Sequence, residues 1–168
     1  MLIPLLFALA YPASLAWAAV SDIRTMTISN RLNLFLVFVF VPVALLTGLS
    51  LSQWGLHLGL AFAGLILGMV LFALRCMGGG DAKLIAATTL WLGFDGTVAF
   101  LIYTALAGGA LTLGLMWARK TIGVYAPAMP ATISRHLAEK GDIPYGVAIC
   151  VGGLFAMSHS DLLPLLHL

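Results

Sequence analysis

The chain has 168 residues, 62% of them hydrophobic and 8% charged, with mean hydropathy +1.09 and net charge +2. Soluble domains carry about 25% charged and 45–50% apolar residues. The composition therefore excludes a soluble globular domain, a disordered chain and a nucleic-acid-binding module, and predicts an all-α integral membrane protein. At 17.7 kDa there is room for one polytopic domain, residues 1–168. Cys76 and Cys150 fit neither a disulfide framework nor a zinc site, so no metal or cofactor is expected.

A spanning helix needs about 20 mostly apolar residues to cross about 30 Å of hydrocarbon. Charged residues cut this sequence into apolar stretches at 2–20, 32–48, 56–74, 82–94, 97–118 and 145–157, the last extending toward 163. They predict a bundle of about six transmembrane helices with a short fourth helix. The first stretch reads as a retained span rather than a cleaved signal peptide. No Lys or Arg precedes Arg24, and Pro4 and Pro12 interrupt the apolar run. Arg24 and Arg31, then Arg75 and Lys83, then Arg119, Lys120, Arg135 and Lys140 all fall in alternate loops. By the positive-inside rule those loops are cytoplasmic and both termini lie outside. Residues 131–140 have the spacing of a short amphipathic helix on the inner membrane surface. Trp17, Trp54, Trp91 and Trp117 lie near span ends, as an interfacial aromatic belt would. Gly64, Gly68, Gly108, Gly109, Gly152 and Gly153 permit close helix contacts.

The six acidic residues can be weighed one by one. Asp22 sits where the first span meets the cytoplasm, and Asp81 where the fourth begins; two crossings return both to one face. Carboxylates beside a low-dielectric medium are functional candidates by default. Two that approach one another tend to share a proton. The ionised partner can then take a proton from attacking water, while the protonated one polarises a carbonyl and later protonates a leaving amine. Gly78, Gly79 and Gly80 precede Asp81 and allow a sharp turn and close approach of another chain. The bland alternative is a flexible linker with Asp81 as an ordinary helix N-cap. From Asp81 to Phe94 a helix rises only about 21 Å, which holds Asp81 near the depth of a membrane-anchored substrate.

Gly78-x-Gly80-Asp81, followed by Ala82-Lys83-Leu84, resembles the GxGDxKL motif of aspartic prepilin peptidases. Asp22-Ile23-Arg24, with Ile28-Ser29-Asn30, resembles that family's first aspartate segment. Ile143-Pro144-Tyr145-Gly146 resembles its Pro-aromatic-Gly motif opening the last helix. The resemblance implies that Asp22 and Asp81 are the catalytic pair of a GxGD membrane aspartyl protease in the bacterial inner membrane. It implies a prepilin or pseudopilin substrate, whose short basic leader is cut at the cytoplasmic face just before a hydrophobic helix. Ser29 stands where the family usually has proline. The loop between the first two spans lacks the large CxxC-bearing insertion of longer members, so N-methyltransferase activity is not expected. The chain resembles the short type serving Flp (tight-adherence) pili.

Other residues carry competing readings. Lys83 is a surface anchor to lipid phosphates or a group that tunes the dyad or binds substrate, and Arg24 divides similarly. Asn30 caps the second helix or bonds the Asp22 loop, with capping favoured. Pro144 suits the first turn of the last helix, and Tyr145 and Gly146 border the active site. Cys76 lies beside the glycine loop, where a cysteine nucleophile would want a paired histidine and His136 is the only cytoplasmic one, but aspartyl chemistry needs no thiol. His57, His159 and His167 are too scattered for a metal site. The rival functions are a preflagellin or other GxGD intramembrane protease, a small proton- or cation-coupled transporter, and a non-catalytic assembly factor.

Overall fold

This computed structural model describes residues 2–138 and 141–162, residues 2–8 by their backbone alone. Among the described residues there are helices and no strand: α1 (Leu2–Thr25), α2 (Asn30–Leu46), α3 (Leu51–Ala73), α4 (Gly79–Ile122), α5 (Ala131–Leu137) and α6 (Tyr145–Ala156). Two helical stretches, Leu51–Ala73 and Gly79–Ala128, are long and apolar enough to cross a membrane; α2 and α6 are apolar but shorter.

Helix α4 is broken at Gly93, whose φ of 70° and ψ of −165° lie outside helical space. The fourth and fifth apolar stretches are thus two arms, 79–92 and 94–122, joined without a loop. They fold back on each other. Ile85 faces the same groove as Leu101, and Met77 the same groove as Gly109, so residues equally distant from the break come together. A left-handed φ suits glycine, and a Cβ at Gly93 would also overlap the Asp161 carboxylate. Asp161 occupies that space with purpose. Its Oδ2 accepts the Phe94 N–H at 3.0 Å, and its own N–H donates to the Leu92 carbonyl at 3.1 Å. An orphan donor at the start of one arm and an orphan acceptor at the end of the other are both satisfied.

The arms pack where the facing residues are small. A Cβ at Gly68 of α3 would stand 2.6 Å from the Ala82 Cα, and one at Gly152 of α6 would stand 2.8 Å from the Thr104 backbone nitrogen. With no gain from leaving water, helices in an apolar solvent associate through such backbone approach. Tyr11, Leu36, Phe40, Trp91 and Phe100 fill the centre. Trp91 corrects the expected aromatic belt. It is fully buried and donates its indole N–H to the Leu36 carbonyl at 3.0 Å, while Trp17 and Trp117 are exposed.

Two other expectations change. The last helix stops at Ala156 and passes through a 3-10 turn, Met157–His159, before Ser160 turns extended. Its hydroxyl donates to the Trp91 carbonyl at 3.0 Å, so the chain returns to serve the Gly93 break instead of continuing upward; residue 163 lies outside the described residues. The amphipathic helix is α5, and it docks on protein: Leu137 and His136 are buried and Ile133 is exposed. Glu139 and Lys140 lie outside the described residues.

Basic side chains gather at one end of the bundle. Arg135 donates to the Arg24 carbonyl at 3.4 Å, Arg119 donates to the carbonyls of His136 and Gly141 at 2.8 and 2.7 Å, and Lys83 reaches Asn30 at 2.8 Å. The Gly93 break and Asp161 mark the opposite end.

Candidate active site

Asp22 sits in the last turn of α1, beyond its apolar stretch, and Asp81 in the first turn of α4, ahead of its own. Both are buried, 3% and 6% exposed. Each carboxylate is held by the start of a helix. The Gly146 N–H of α6 donates to Asp22 Oδ2 at 2.7 Å, and the Gly78 N–H donates to Asp81 Oδ2 at 3.0 Å. First-turn N–H groups lack intrahelical partners and carry partial positive charge, so they suit an anionic oxygen. Asp81 is therefore not the N-cap; Gly78 is, and Asp81 reaches back to it from three residues on.

Buried Ile28 ties the two halves together. A Cβ at Gly80 would lie 2.9 Å from the Ile28 carbonyl, and one at Gly146 would lie 2.9 Å from Asp22 Cβ and 3.1 Å from Ile28 Cδ1. The segment between α1 and α2 passes so close that neither position has room for a side chain. Asn33, buried on α2, donates to the Gly80 carbonyl at 3.3 Å.

Burial is the largest influence on both acids and holds each carboxyl above the ordinary range. For Asp81 the charge on Asp22 adds to the rise, against the Gly78 N–H. For Asp22 the Gly146 N–H and then His136 pull the other way. The two acids thus feel one another, with Asp22 better supplied with partners for its charge. Asp81 Oδ1 is buried with no hydrogen-bond partner among the described residues. Such a pair is suited to hold one proton between them.

The other residues singled out in the sequence divide. Gly78, Gly80 and Gly146 are part of the pair's immediate setting. Tyr145 lies beside Gly108, half-buried, one residue from the Asp22 donor. Pro144 is buried and immediately precedes the helix, its carbonyl accepting from Val147 at 3.2 Å. Lys83 projects away and donates to Asn30 Oδ1. Asn30 does not cap α2; Ser29 does, accepting the Leu32 N–H at 3.3 Å. Serine in place of proline thus supplies an acceptor to the helix start. Arg24 is exposed and meets Arg135 through its carbonyl.

His136, weighed in the sequence only as a partner for Cys76, lies instead beside the Asp22 segment. It is buried on α5, with Nε2 2.9 Å from the Ile23 carbonyl and Nδ1 3.2 Å from that of Asp142. No spacing rule links it to Asp22, which lies 114 positions earlier (136 − 22). His57 is spent in the core, Nδ1 2.7 Å from the Leu90 carbonyl; His167 lies outside the described residues. Among the described residues no group of three or more His, Cys, Asp or Glu could hold a metal ion.

Residues 9–113 match the type IV leader peptidase family. The chain belongs to that family. The matched stretch holds both aspartates of this leader-peptidase family member and its three glycines, whereas Gly146 and His136 lie beyond it and enter the site through the fold. The prepilin leader peptidase/N-methyltransferase of Bacillus subtilis (strain 168) is 28% identical over 156 residues, covering 92% of this chain and 56% of that protein. The chain thus spans little more than half the length of this curated relative. No solved structure gives a significant match.

Proposed function

We propose that this protein is a membrane-embedded aspartic endopeptidase that removes the short basic leader from a type IV, Flp-type prepilin or pseudopilin. The observation that carries this reading is a pair of buried carboxyl groups at the basic end of the bundle, joined through Ile28, which packs on both Gly80 and Gly146. Each is steadied by a helix-start N–H.

In this reading the pair shares one proton, one carboxyl ionised and the other protonated, and titrates as a unit. Water between them gives a proton to the ionised carboxylate as its oxygen attacks the scissile carbonyl carbon. The protonated carboxyl donates to the carbonyl oxygen as it becomes an oxyanion. On collapse the C–N bond breaks and the amine nitrogen takes up a proton from the dyad. One water is consumed, a carboxyl terminus and an amine form, and the dyad regains its single proton. No cofactor and no covalent intermediate is needed, and no N-methyltransferase step is assigned.

The protein lies in the bacterial inner membrane as one polytopic domain. The apolar stretches of α1, α2, α3, the two arms of α4 and α6 are its six crossings, with Asp22 and Asp81 just outside them. The basic end faces the cytoplasm and both termini lie outside, a reading supported by the alternation of Lys and Arg. Asp81 then meets a substrate held by its own N-terminal hydrophobic helix, at the depth where leader and helix join.

The test is co-expression with a candidate prepilin and mass spectrometry of the mature N-terminus. Wild type is expected to yield the cleaved pilin. Asp22→Asn and Asp81→Asn are each expected to slow processing by about 10²-fold or more, the usual contribution of a general acid or base. Processing at the wild-type rate by both variants overturns the dyad.

A further inference from the structure

Two apolar grooves flank the first arm of α4, and helical phase decides which one serves the aspartates. The first, about 550 Å³, is lined by Asn30, Leu34, Phe62, Lys83, Ala86 and Leu90. At about 100° per residue, Lys83 and Leu90 lie roughly 160–180° around the helix from Asp81. That groove therefore opens on the arm's far side. The second, about 630 Å³, runs between α3 and the two arms of α4 and is lined by Leu67, Met77, Ile85, Leu101, Gly109 and Tyr145 among others. Ile85 is one turn from Asp81 and only about 40° away in phase.

The second groove also ends at the site. Met77 and Tyr145 directly precede Gly78 and Gly146, the two residues whose N–H groups hold the carboxylates. Cys76 stands at the same end, exposed. Among the described residues no acidic side chain lines this groove, so its lining does not favour a basic leader, while its aliphatic walls suit an apolar chain. The space is unfilled by the protein itself: a Cβ at Gly109 would meet nothing within 4 Å.

We propose that this groove receives the first apolar turns of the substrate's hydrophobic helix, the part immediately after the scissile bond. The inference rests on the leader-peptidase reading and adds to it a recognition surface. The helix lies along the second arm with its N-terminal end at Met77 and Tyr145, which delivers the preceding peptide bond to Asp22 and Asp81. Recognition is then by shape and apolarity, and the basic leader remains at the polar rim.

The experiment uses the full chain in lipid vesicles with an intact prepilin. Gly109→Leu fills the groove, and Gly114→Leu is a matched control, because Gly114 is equally open but does not line it. Gly109→Leu is expected to raise KM about tenfold with kcat little changed, the scale of overfilling an apolar site. Gly114→Leu is expected to leave both constants unaltered. As a second readout, Cys76 is oxidised against a single substrate cysteine placed one turn after the scissile bond, in an Asp22→Asn background. A disulfide-linked complex is expected, and Cys76→Ser should abolish it. An unchanged KM for Gly109→Leu, or no cross-link, overturns the groove, as does loss of a bound phospholipid from Gly109→Leu with unchanged KM. Cross-linking reads occupancy without cleavage, so a wild type that forms the complex yet leaves the leader on overturns the peptidase reading alone.

Discussion

Asp81 shows what a single buried carboxyl costs and what it offers. Its desolvated side chain favours the protonated form. The folded-state pKa is raised above the unfolded value, so the stabilising contribution is fully present below the unfolded pKa. It is lost as pH rises from there through the raised folded value. Above that window the fold carries a buried negative charge, and Asp81→Asn removes it. The variant, purified in detergent, is expected to melt about 2–4 °C above wild type near pH 7.5, a shift of order 1 kcal/mol, and level with it near pH 4. A lower Tm for the variant at both pH values would contradict this account. Under the proposed mechanism cleavage should move oppositely, since the same substitution removes one of the two acids assigned to share the proton. Stability yielded at a reacting group is a common trade.

At the scale of elements, the decisive device is the break in α4. One long apolar helix would carry its second half away from Asp81; the turn at Gly93 brings the second arm back beside Met77 and Tyr145. The reversal is secured from a distance in sequence by Ser160 and Asp161, which bond Trp91, Leu92 and Phe94. Asp161→Ala is expected to cost about 1 kcal/mol, the usual value of a lost helix cap, and to lower Tm by about 2–4 °C. Asp161→Asn, which keeps an acceptor, should recover most of the loss. Circular dichroism melting in detergent checks both, and equal melting of wild type and Asp161→Ala would remove the cap from the account. A similar economy appears between α1 and α2, where Ser29 supplies the cap expected of Asn30 and leaves Asn30 to meet Lys83.

For the molecule as a whole, the proposed orientation has a direct readout. Ser52 is exposed near the start of α3, and Thr121 is exposed at the end of the second arm of α4. In a Cys76→Ser background, Ser52→Cys is expected to react with a membrane-impermeant maleimide added to intact spheroplasts. Thr121→Cys should react only after the membrane is opened. The reverse pattern would invert the protein and place the aspartates on the wrong side for a cytoplasmic leader.

The apolar stretches, the alternation of basic loops and the two aspartate motifs were all legible in the residues, because each is local: a run of side chains long enough for a bilayer, or a short pattern around one acid. Helix existence and the candidate pair followed from that. Four things were not legible. The joining of the fourth and fifth stretches depended on Asp161 returning to Gly93. The burial of Trp91 depended on the Leu36 carbonyl standing within reach. The placement of His136 near Asp22, and of the Gly146 N–H on its carboxylate, required α5 and α6 to pack against the end of α1. Composition and spacing decide what each segment can become on its own. Which segments meet is set by close backbone approach and by unsatisfied polar groups seeking partners far along the chain, and those constraints exist only once the helices are assembled.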